Sequence, residues 1–290
     1  MSRICVIGGN GMLGRSLLPY LQSAGYQVFC LVREKICQTD IEIDYGNKDS
    51  VSYVLNDIKP SHILNLAAMT NVDECEINPN GAYEANVRVV ELVCNWIRQA
   101  GDCHLVQIST DQVYDGLGPH SEGSVKLLNY YSFSKYSGEL AASNVPSTII
   151  RTNFFGKSKS PSRKSFSDWA FSALSREDNI SVFNDVFFSP LSLESLCGFI
   201  KLIIDKPLIG TFNVGSECGL SKADFVFKFA EILNLSTKNV SITSCENMNL
   251  TARRPTDMRM DYSRLKDAYG DIVLPTLADE IQKVAVSYIA

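Results

Sequence analysis

Residues 6–17, VIGGNGMLGRSL, decide the fold of the first half of the chain. Glycines 8, 11 and 14 form the pattern G-x-x-G-x-x-G between an apolar run and a helical pattern. The first glycine allows a tight turn, the second lets backbone approach a pyrophosphate, and the third lets helix and strand pack closely. The N–H groups at the helix start then attract phosphate. Because the loop opens a series of alternating strands and helices, the sequence predicts a dinucleotide-binding loop rather than a flexible turn.

The composition is that of an ordinary globular protein, with 45% hydrophobic and 20% charged residues among 290. A net charge of −5 without a basic run argues against nucleic acid or an anionic membrane as partner. No apolar run is long enough to span a bilayer. Nine scattered cysteines without C-x-x-C, and histidines without H-E-x-x-H, predict reduced thiols, a cytoplasmic location and no metal site.

Strand-like and helix-like segments alternate up to about residue 156. The predicted strands are RICVIGG, YQVFCLVR, HILNLAA, HLVQISTD and STIIRTNFFG. The predicted helices between them are MLGRSLLPYLQSAG, KDSVSYVLNDIKP, NGAYEANVRVVELVCNWIRQAG and NYYSFSKYSGELAASN. This order predicts an α/β fold, a Rossmann-type doubly wound parallel sheet with a smaller C-terminal lobe. We expect a dinucleotide-binding domain over 1–156 and a substrate-binding lobe over 157–290, with segments that return to the main domain.

The end of the second predicted strand bears on the choice of dinucleotide. An acid at this place binds the ribose 2′-hydroxyl of NAD. Arg33 stands there instead, and Arg15 follows the glycine loop, so the sequence favours the 2′-phosphate of NADP(H). The alternative is that Arg33 is only solvated and Glu34 binds the ribose, which leaves NADH as the other cofactor.

Tyr131 and Lys135 form Y-x-x-x-K within a predicted helix. Positions i and i+4 share a helix face, and an ammonium beside a phenol stabilises the phenolate. Such a phenol can give its proton to a developing alkoxide. A second match, Tyr262 and Lys266, has no comparable surroundings and reads as part of a surface helix near the C-terminus.

The placement of Tyr131 shortly after the strand HLVQISTD distinguishes it from Tyr262. That strand ends in Ser109 and Thr110, and ligands of open α/β sheets bind outside the carboxyl ends of strands. Because neighbouring strand residues point to opposite sides, only one of the two hydroxyls should face the site.

Together these residues resemble the extended short-chain dehydrogenase/reductases, and in particular the dTDP-4-dehydrorhamnose reductase (RmlD-like) family. The matching segments span nearly the whole chain: GGNGMLG, NLAAMTNVDECEINPNGAYEANV, ISTDQVYDG, YYSFSKYSGE, RTNFFG and ARRPTDMRMDYSRL. The resemblance implies reduction of a keto-sugar nucleotide, with a nucleotide-diphospho-sugar as partner and a homodimer as a further expectation.

The resemblance also implies residue roles. Thr110 binds the substrate carbonyl, Tyr131 donates the proton, and Lys135 binds the nicotinamide ribose and tunes Tyr131. Asn86 supports that lysine through water. The expected cofactor contacts are Gly8, Asn10, Gly11, Met12, Leu13, Gly14, Arg33, Asp44, Leu66, Ala67, Ala68, Tyr131 and Lys135. The expected substrate contacts are Met69, Val72, Tyr114, Phe154 and Arg253.

Several of these assignments keep an alternative. Ala67 and Ala68 also suit simple packing at a strand end. Arg253 and Arg254 either bind a diphosphate or lie on the surface. The family usually has an aromatic residue at Met69, a Trp near Phe154, and Gln with Pro-Thr in the segment NDVFFSPLS. These departures leave the identity of the sugar open.

The leading prediction is therefore an NADPH-dependent reductase of a nucleotide-linked 4-keto-6-deoxy sugar. A sugar-nucleotide epimerase of the same fold and a non-catalytic NADP-binding regulatory subunit are the alternatives. A 4,6-dehydratase is disfavoured, because Gln112 stands where the related dehydratases carry an acid and an amide cannot abstract a proton.

Overall fold

The structure, a computed structural model, describes residues 2–161, 163–270 and 272–289. The strands are β1 (Arg3–Ile7), β2 (Gln27–Val32), β3 (Asp40–Glu42), β4 (His62–Asn65), β5 (His104–Thr110), β6 (Ser147–Thr152), β7 (Phe154–Phe155), β8 (Ile180–Phe183), β9 (Phe187–Phe188), β10 (Leu191–Ser192), β11 (Gly210–Val214), β12 (Leu220–Ser221) and β13 (Val240–Thr243). The α-helices are α1 (Met12–Ser23), α2 (Lys48–Ile58), α3 (Val72–Ile77), α4 (Pro79–Tyr83), α5 (Val89–Ala100), α6 (Tyr130–Ala142), α7 (Phe166–Ser175), α8 (Leu193–Asp205), α9 (Lys222–Ile232), α10 (Ser263–Tyr269) and α11 (Leu277–Ile289). In the part of the chain that the structure describes, no helix has the length and apolarity of a membrane span.

The chain forms two compact units whose segments alternate along the sequence. Unit 1 comprises Met1–Thr110, Asn129–Arg151 and Cys197–Phe212. Unit 2 comprises Asp111–Leu128, Thr152–Leu196 and Asn213–Ala290. The predicted division after residue 156 stays a prediction about domain function. The two units are defined by which residues lie close together in space. The late segment Cys197–Phe212 therefore belongs to unit 1.

A seven-stranded sheet organises unit 1, in the order β11-β6-β5-β4-β1-β2-β3. The register pairs Ile4 with both Val28 and His62, and Ile63 with Leu105, all in parallel. The interior strands are almost continuously buried, which explains their apolar sequences. These findings confirm the predicted α/β class and parallel central sheet. They also bring the carboxyl ends of β1, β4 and β5 side by side.

The segment predicted as one long helix over 80–101 is divided. α4 is followed by one π-helical stretch, Glu84–Arg88, before α5 continues to Ala100. A π-helix widens the turn by one residue, and such turns are frequent at functional sites. Apolar spacing alone cannot reveal it, because α5 keeps an ordinary amphipathic pattern.

Unit 2 has a core of aromatic rings with short two-stranded sheets around it. The sheets pair β10 with β7, β12 with β9 and β13 with β8. Phe225 lies at the centre of the core, with ring centroids 4.9 Å from Phe155 and 5.6 Å from Phe188. Helices α9 and α11 contribute apolar faces to the same cluster. This unit is therefore held together by side-chain packing more than by a continuous sheet.

Candidate active site

The glycine loop joins β1 to α1 and depends on the absence of side chains. Gly8 has φ +78°, and a Cβ placed on it would lie 2.8 Å from Ala67 N. A Cβ on Gly14 would lie 2.3 Å from Gly9 O, so the first turn of α1 rests on the loop itself. Gly11 is less confined, since its Cβ would meet only Gly8 O at 3.3 Å. The first and third glycines are thus required sterically, and the loop touches the segment after β4.

Helix α1 begins directly behind this loop and presents its amino terminus there. Gly11 is the N-cap and provides no side-chain hydrogen bond, and the first turn, which starts at Met12 and Leu13, contains no acidic residue. The first N–H groups of a helix have no partner within it, and the helix dipole favours an anion at this end. The arrangement can therefore receive a pyrophosphate, as the spacing predicts.

Tyr45, which the sequence analysis does not identify, holds the glycine loop in place by hydrogen bonds. Its buried hydroxyl donates to Leu31 O at 2.7 Å and accepts from Gly8 N at 3.2 Å. Gly8 N also donates to Leu31 O at 2.9 Å. The loop is thereby fixed to the end of β2. A lone tyrosine 37 residues from its partner leaves no signal in local spacing.

The residues expected to contact the adenosine side of the cofactor follow strands β2, β3 and β4, at the carboxyl ends of these strands. Arg33 follows β2 and is exposed. Arg15, in the first turns of α1, donates from Nη1 to Cys37 Sγ at 3.5 Å, so it lies beside the loop after β2. Asp44 accepts from Gly46 N at 2.9 Å within its own turn. Leu66, Ala67 and Ala68 follow β4 and are half-buried. Their contacts with a cofactor stay predictions.

Helix α6 carries Tyr131 and Lys135 on its buried side, at 6% and 4% exposure. Asn129 caps the helix through Ser132 N at 2.8 Å, in a capping box that fixes where the helix starts. Lys135 Nζ donates to Ile108 O at 2.7 Å, near the end of β5. Burial lowers the pKa of Lys135 to about 8, and the charges of Glu139 and Cys75 oppose that shift. The lysine is therefore fixed one helical turn from the phenol.

Of the two hydroxyls at the end of β5, that of Ser109 points towards α6. It donates to the buried carboxylate of Glu139. Because neighbouring residues of a strand point to opposite sides, Thr110 remains the candidate that binds a carbonyl. Its catalytic role, like those of Tyr131 and Lys135, stays a prediction.

The π-helical stretch places the carboxamide of Asn86 against the loop after β4. Its Oδ1 accepts from Met69 N at 2.8 Å, and its Nδ2 donates to Met69 O at 3.1 Å and to Ser134 Oγ at 2.8 Å. Ser134 in turn donates to Tyr131 O at 2.9 Å. Asn86 thus joins a predicted substrate residue to the helix that carries the phenol. Its expected support of Lys135 through water stays a prediction.

Gly138 lets α6 approach this stretch backbone to backbone. A Cβ on Gly138 would lie 2.4 Å from Asn86 O. The glycine therefore sets how closely Tyr131 and Lys135 approach the segment around Asn86. Sequence reasoning missed it, although a glycine inside a helical pattern is a signal of close packing.

The second Y-x-x-x-K, in unit 2, is engaged in other contacts. Tyr262 precedes α10, and its hydroxyl donates to Ser216 O at 2.9 Å. Lys266 forms an ion pair with Glu217 at 2.5 Å. Lys266 lies on the exposed side of the helix as predicted, whereas the prediction of a surface position is wrong for Tyr262, which is buried by its packing in unit 2.

The expected substrate residues are found in both units. Met69 is half-buried and Val72 begins α3, both in unit 1. In unit 2, Tyr114 is fully buried, donates to Asn213 Oδ1 at 2.7 Å and stacks on His120 with centroids 5.2 Å apart. Phe154 is half-buried in β7, whereas Arg253 is exposed. These five roles stay predictions.

No group of three or more His, Cys, Asp or Glu side chains within 2–161, 163–270 and 272–289 is arranged to hold a metal ion. All nine cysteines are free thiols, and only Cys37 and Cys218 are exposed.

Known proteins resemble the chain over its full length. It matches the family described as RmlD substrate binding domain over residues 2–288. A dTDP-4-dehydrorhamnose reductase from Aggregatibacter actinomycetemcomitans is 28% identical over 292 residues, or 93% of this chain and 94% of that protein. A probable low-salt glycan biosynthesis reductase, Agl14 of Haloferax volcanii, is 25% identical over 98% of this chain and 97% of that protein. The crystal structure of a dTDP-4-dehydrorhamnose reductase from Bacillus anthracis in complex with NADP has a TM-score of 0.89 and 26% identity, covering 99% of this chain and 100% of that chain.

Proposed function

We propose, because the chain belongs to the RmlD substrate binding domain family, that it reduces the keto group of a nucleotide-linked 4-keto-6-deoxy sugar with NADPH. The chain is an NAD(P)-dependent oxidoreductase that acts on a ketone or the corresponding alcohol. The proposal adds the sugar class and the proton donor.

The residues of unit 1 fit a dinucleotide. A Cβ on Gly8 or Gly14 would collide with the backbone of Ala67 or Gly9, at 2.8 and 2.3 Å, so these two glycines preserve the shape of the loop in front of α1. The first N–H groups of α1 would hold the pyrophosphate. Arg33 and Arg15 would hold the 2′-phosphate, which is why NADPH is proposed over NADH. When bound, the cofactor supplies the hydride.

The position of Lys135 is the observation that carries the proposal. Its ammonium is bound to Ile108 O at 2.7 Å and lies one helical turn from Tyr131. An ammonium so placed lowers the cost of forming a phenolate, so Tyr131 can give its proton to the oxygen of a reduced ketone. Thr110 would bind the same oxygen before reduction. Burial of Tyr131 and Lys135 excludes water from the transfer.

Turnover by the purified chain tests the proposal. NADPH consumption would be followed with a panel of dTDP- and UDP-linked 4-keto sugars, and the products identified by NMR. We expect at least one sugar to be reduced. Tyr131→Phe should lower kcat by at least about 100-fold, because the proton donor is lost. Its NADPH affinity should change far less than kcat, because the glycine loop, Arg33 and Lys135 are retained.

Tyr130→Phe is the matched control, since it removes a half-buried phenol from the neighbouring position. It should retain kcat within a few-fold. Turnover that survives Tyr131→Phe would contradict the assigned donor. If no sugar is reduced and the chain co-purifies with a larger enzyme, the regulatory-subunit alternative replaces the proposal.

A further inference from the structure

A buried ion pair joins Glu139, which lies on α6 one turn beyond Lys135, to Arg151 in β6. Glu139 accepts from Arg151 Nε at 3.0 and 3.1 Å and from Arg151 Nη2 at 2.6 Å. Both side chains are 3% exposed. Arg151 also lies over the ring of Tyr136, 5.8 Å from its centroid. Removing two charges from water is costly, so a pair in this position calls for a reason beyond stability.

The carboxylate of this pair acts on Lys135 through space. Tyr131, Lys135 and Glu139 are spaced by four residues on one buried side of α6. Burial is the largest influence on the pKa of Lys135 and lowers it, whereas the charge of Glu139 is the strongest influence that raises it. Glu139 therefore favours the ammonium form of a lysine whose pKa is lowered by burial.

The same carboxylate also fixes the end of β5. Lys135 Nζ binds Ile108 O at 2.7 Å, and Ser109 Oγ donates to Glu139. Two consecutive strand residues are thus tied to two consecutive turns of α6, and the next residue is Thr110. Sliding the strand end against the helix would break both contacts at once.

We propose that Glu139 is a positioning residue that keeps Lys135 cationic and holds the end of β5 in register with α6. The inference deepens the proposed function and rests on it for the roles of Tyr131 and Lys135. Arg151 completes the arrangement, because its guanidinium compensates the charge of the buried carboxylate.

The ionisation of Lys135 is measurable without any substrate. Lysine labelled with carbon-13 at Cε reports its own titration by NMR, and Lys135→Met assigns the signal. In Glu139→Gln the amide can still accept from Ser109 and Arg151, but the charge is lost. We expect the Lys135 midpoint to move down by about one pH unit. An unchanged midpoint would overturn the proposal.

Glu139→Gln removes the negative charge that lies against the buried guanidinium of Arg151, which endangers folding. The double variant Glu139→Leu/Arg151→Met replaces the pair by apolar side chains of similar size, an exchange that folded proteins often tolerate. It should shift Lys135 in the same direction. If either variant folds and its Lys135 still titrates with the wild-type midpoint, the role assigned to Glu139 is rejected.

Ser109→Ala is the matched control, because it removes a hydrogen bond from Glu139 and leaves the charge in place. The titration midpoint of Lys135 in this variant should equal that of the wild type. If the midpoint instead falls as far as it does in Glu139→Gln, the shift is due to packing, and the role assigned to the charge of Glu139 is contradicted. With an active sugar, the alkaline limb of kcat should move with the NMR midpoint in Glu139→Gln. Absence of turnover in the wild type would count against the proposed function alone, since the titration needs no substrate.

Discussion

The glycine loop and helix α6, both in unit 1, hold their predicted site residues by different physical means. The loop is confined by backbone: Gly8 N donates to Leu31 O at 2.9 Å, and a Cβ on Gly8 would collide with Ala67. On α6 the important groups are buried charged side chains, Lys135 and Glu139. Steric confinement does not change with pH, whereas charge in a buried site does. Substitutions in the two regions should therefore differ in kind as well as in size.

Gly8→Ala should give the largest effect on the loop. Its Cβ would lie 2.8 Å from Ala67 N, and its φ of +78° disfavours any side chain. The loop must move to relieve the contact, and the N–H groups of α1 then no longer meet the pyrophosphate. We expect NADPH affinity, measured by fluorescence titration, to fall about 100-fold at every pH.

Gly25→Ala separates the collision from the backbone conformation. Gly25 has φ +89°, but a Cβ there meets nothing within 4 Å. It should lower the free energy of unfolding by about 1 kcal/mol and leave NADPH affinity unchanged. If Gly8→Ala lowers NADPH affinity no more than Gly25→Ala does, the close approach to Ala67 is not the reason that position 8 requires glycine.

Gly138→Ala extends steric confinement to α6. Alanine in a helix interior ordinarily stabilises relative to glycine by about 1 kcal/mol. Here its Cβ would lie 2.4 Å from Asn86 O, so we expect the free energy of unfolding to fall by about 2 kcal/mol in urea denaturation. kcat should fall as well, because the helix that carries Tyr131 is displaced.

Gly198→Ala in α8 is the matched helix control. A Cβ at that position would meet Tyr20 Oη at 3.7 Å, an ordinary contact. The variant should be as stable as the wild type or up to about 1 kcal/mol more stable. Equal behaviour of the two variants would contradict the close packing of α6 on the π-helical stretch.

The two regions also differ in how far the sequence reveals them. Glycine spacing at 8, 11 and 14 predicts the loop because each position follows from local backbone geometry. The spacing of Tyr131 and Lys135 predicts a shared helix face for the same reason. The contacts of Tyr45 with the loop and of Glu139 with Arg151 and Ser109 join distant segments. No local sequence pattern encodes these contacts, so they can be identified only in the folded structure.

Arg33→Ala tests the loop region by charge rather than by shape. If its guanidinium binds the 2′-phosphate, NADPH affinity should fall about 10-fold, in keeping with the loss of a charge-assisted hydrogen bond. NADH affinity should not change. Glu34→Gln examines the alternative: weaker NADH binding in that variant, with no effect of Arg33→Ala, would assign the ribose to Glu34 and reject the preference for NADPH.

The smallest expected effect concerns a half-buried histidine that lies outside α6. His104, at the start of β5, has its Nε2 2.8 Å from Thr148 Oγ1 and its ring centroid 6.1 Å from that of His62. Burial, and then the charge of His62, lower the pKa of His104 from 6.5 to about 4. Between pH 6.5 and about pH 4, His104 is therefore mostly protonated in the unfolded chain and mostly neutral in the folded chain. This part of the stability is present above pH 6.5 and is lost as the pH falls towards 4.

His104→Gln should flatten the loss of stability between these pH values, because glutamine can keep a hydrogen bond to Thr148 but does not titrate. Chemical denaturation across that range measures the slope. Thr148→Val lowers stability by removing the hydrogen bond, yet should leave the slope as in the wild type. The kcat of His104→Gln at neutral pH should not change, since His104 is already neutral there. A change in kcat at neutral pH would mean that position 104 influences α6 by packing, without any change of charge.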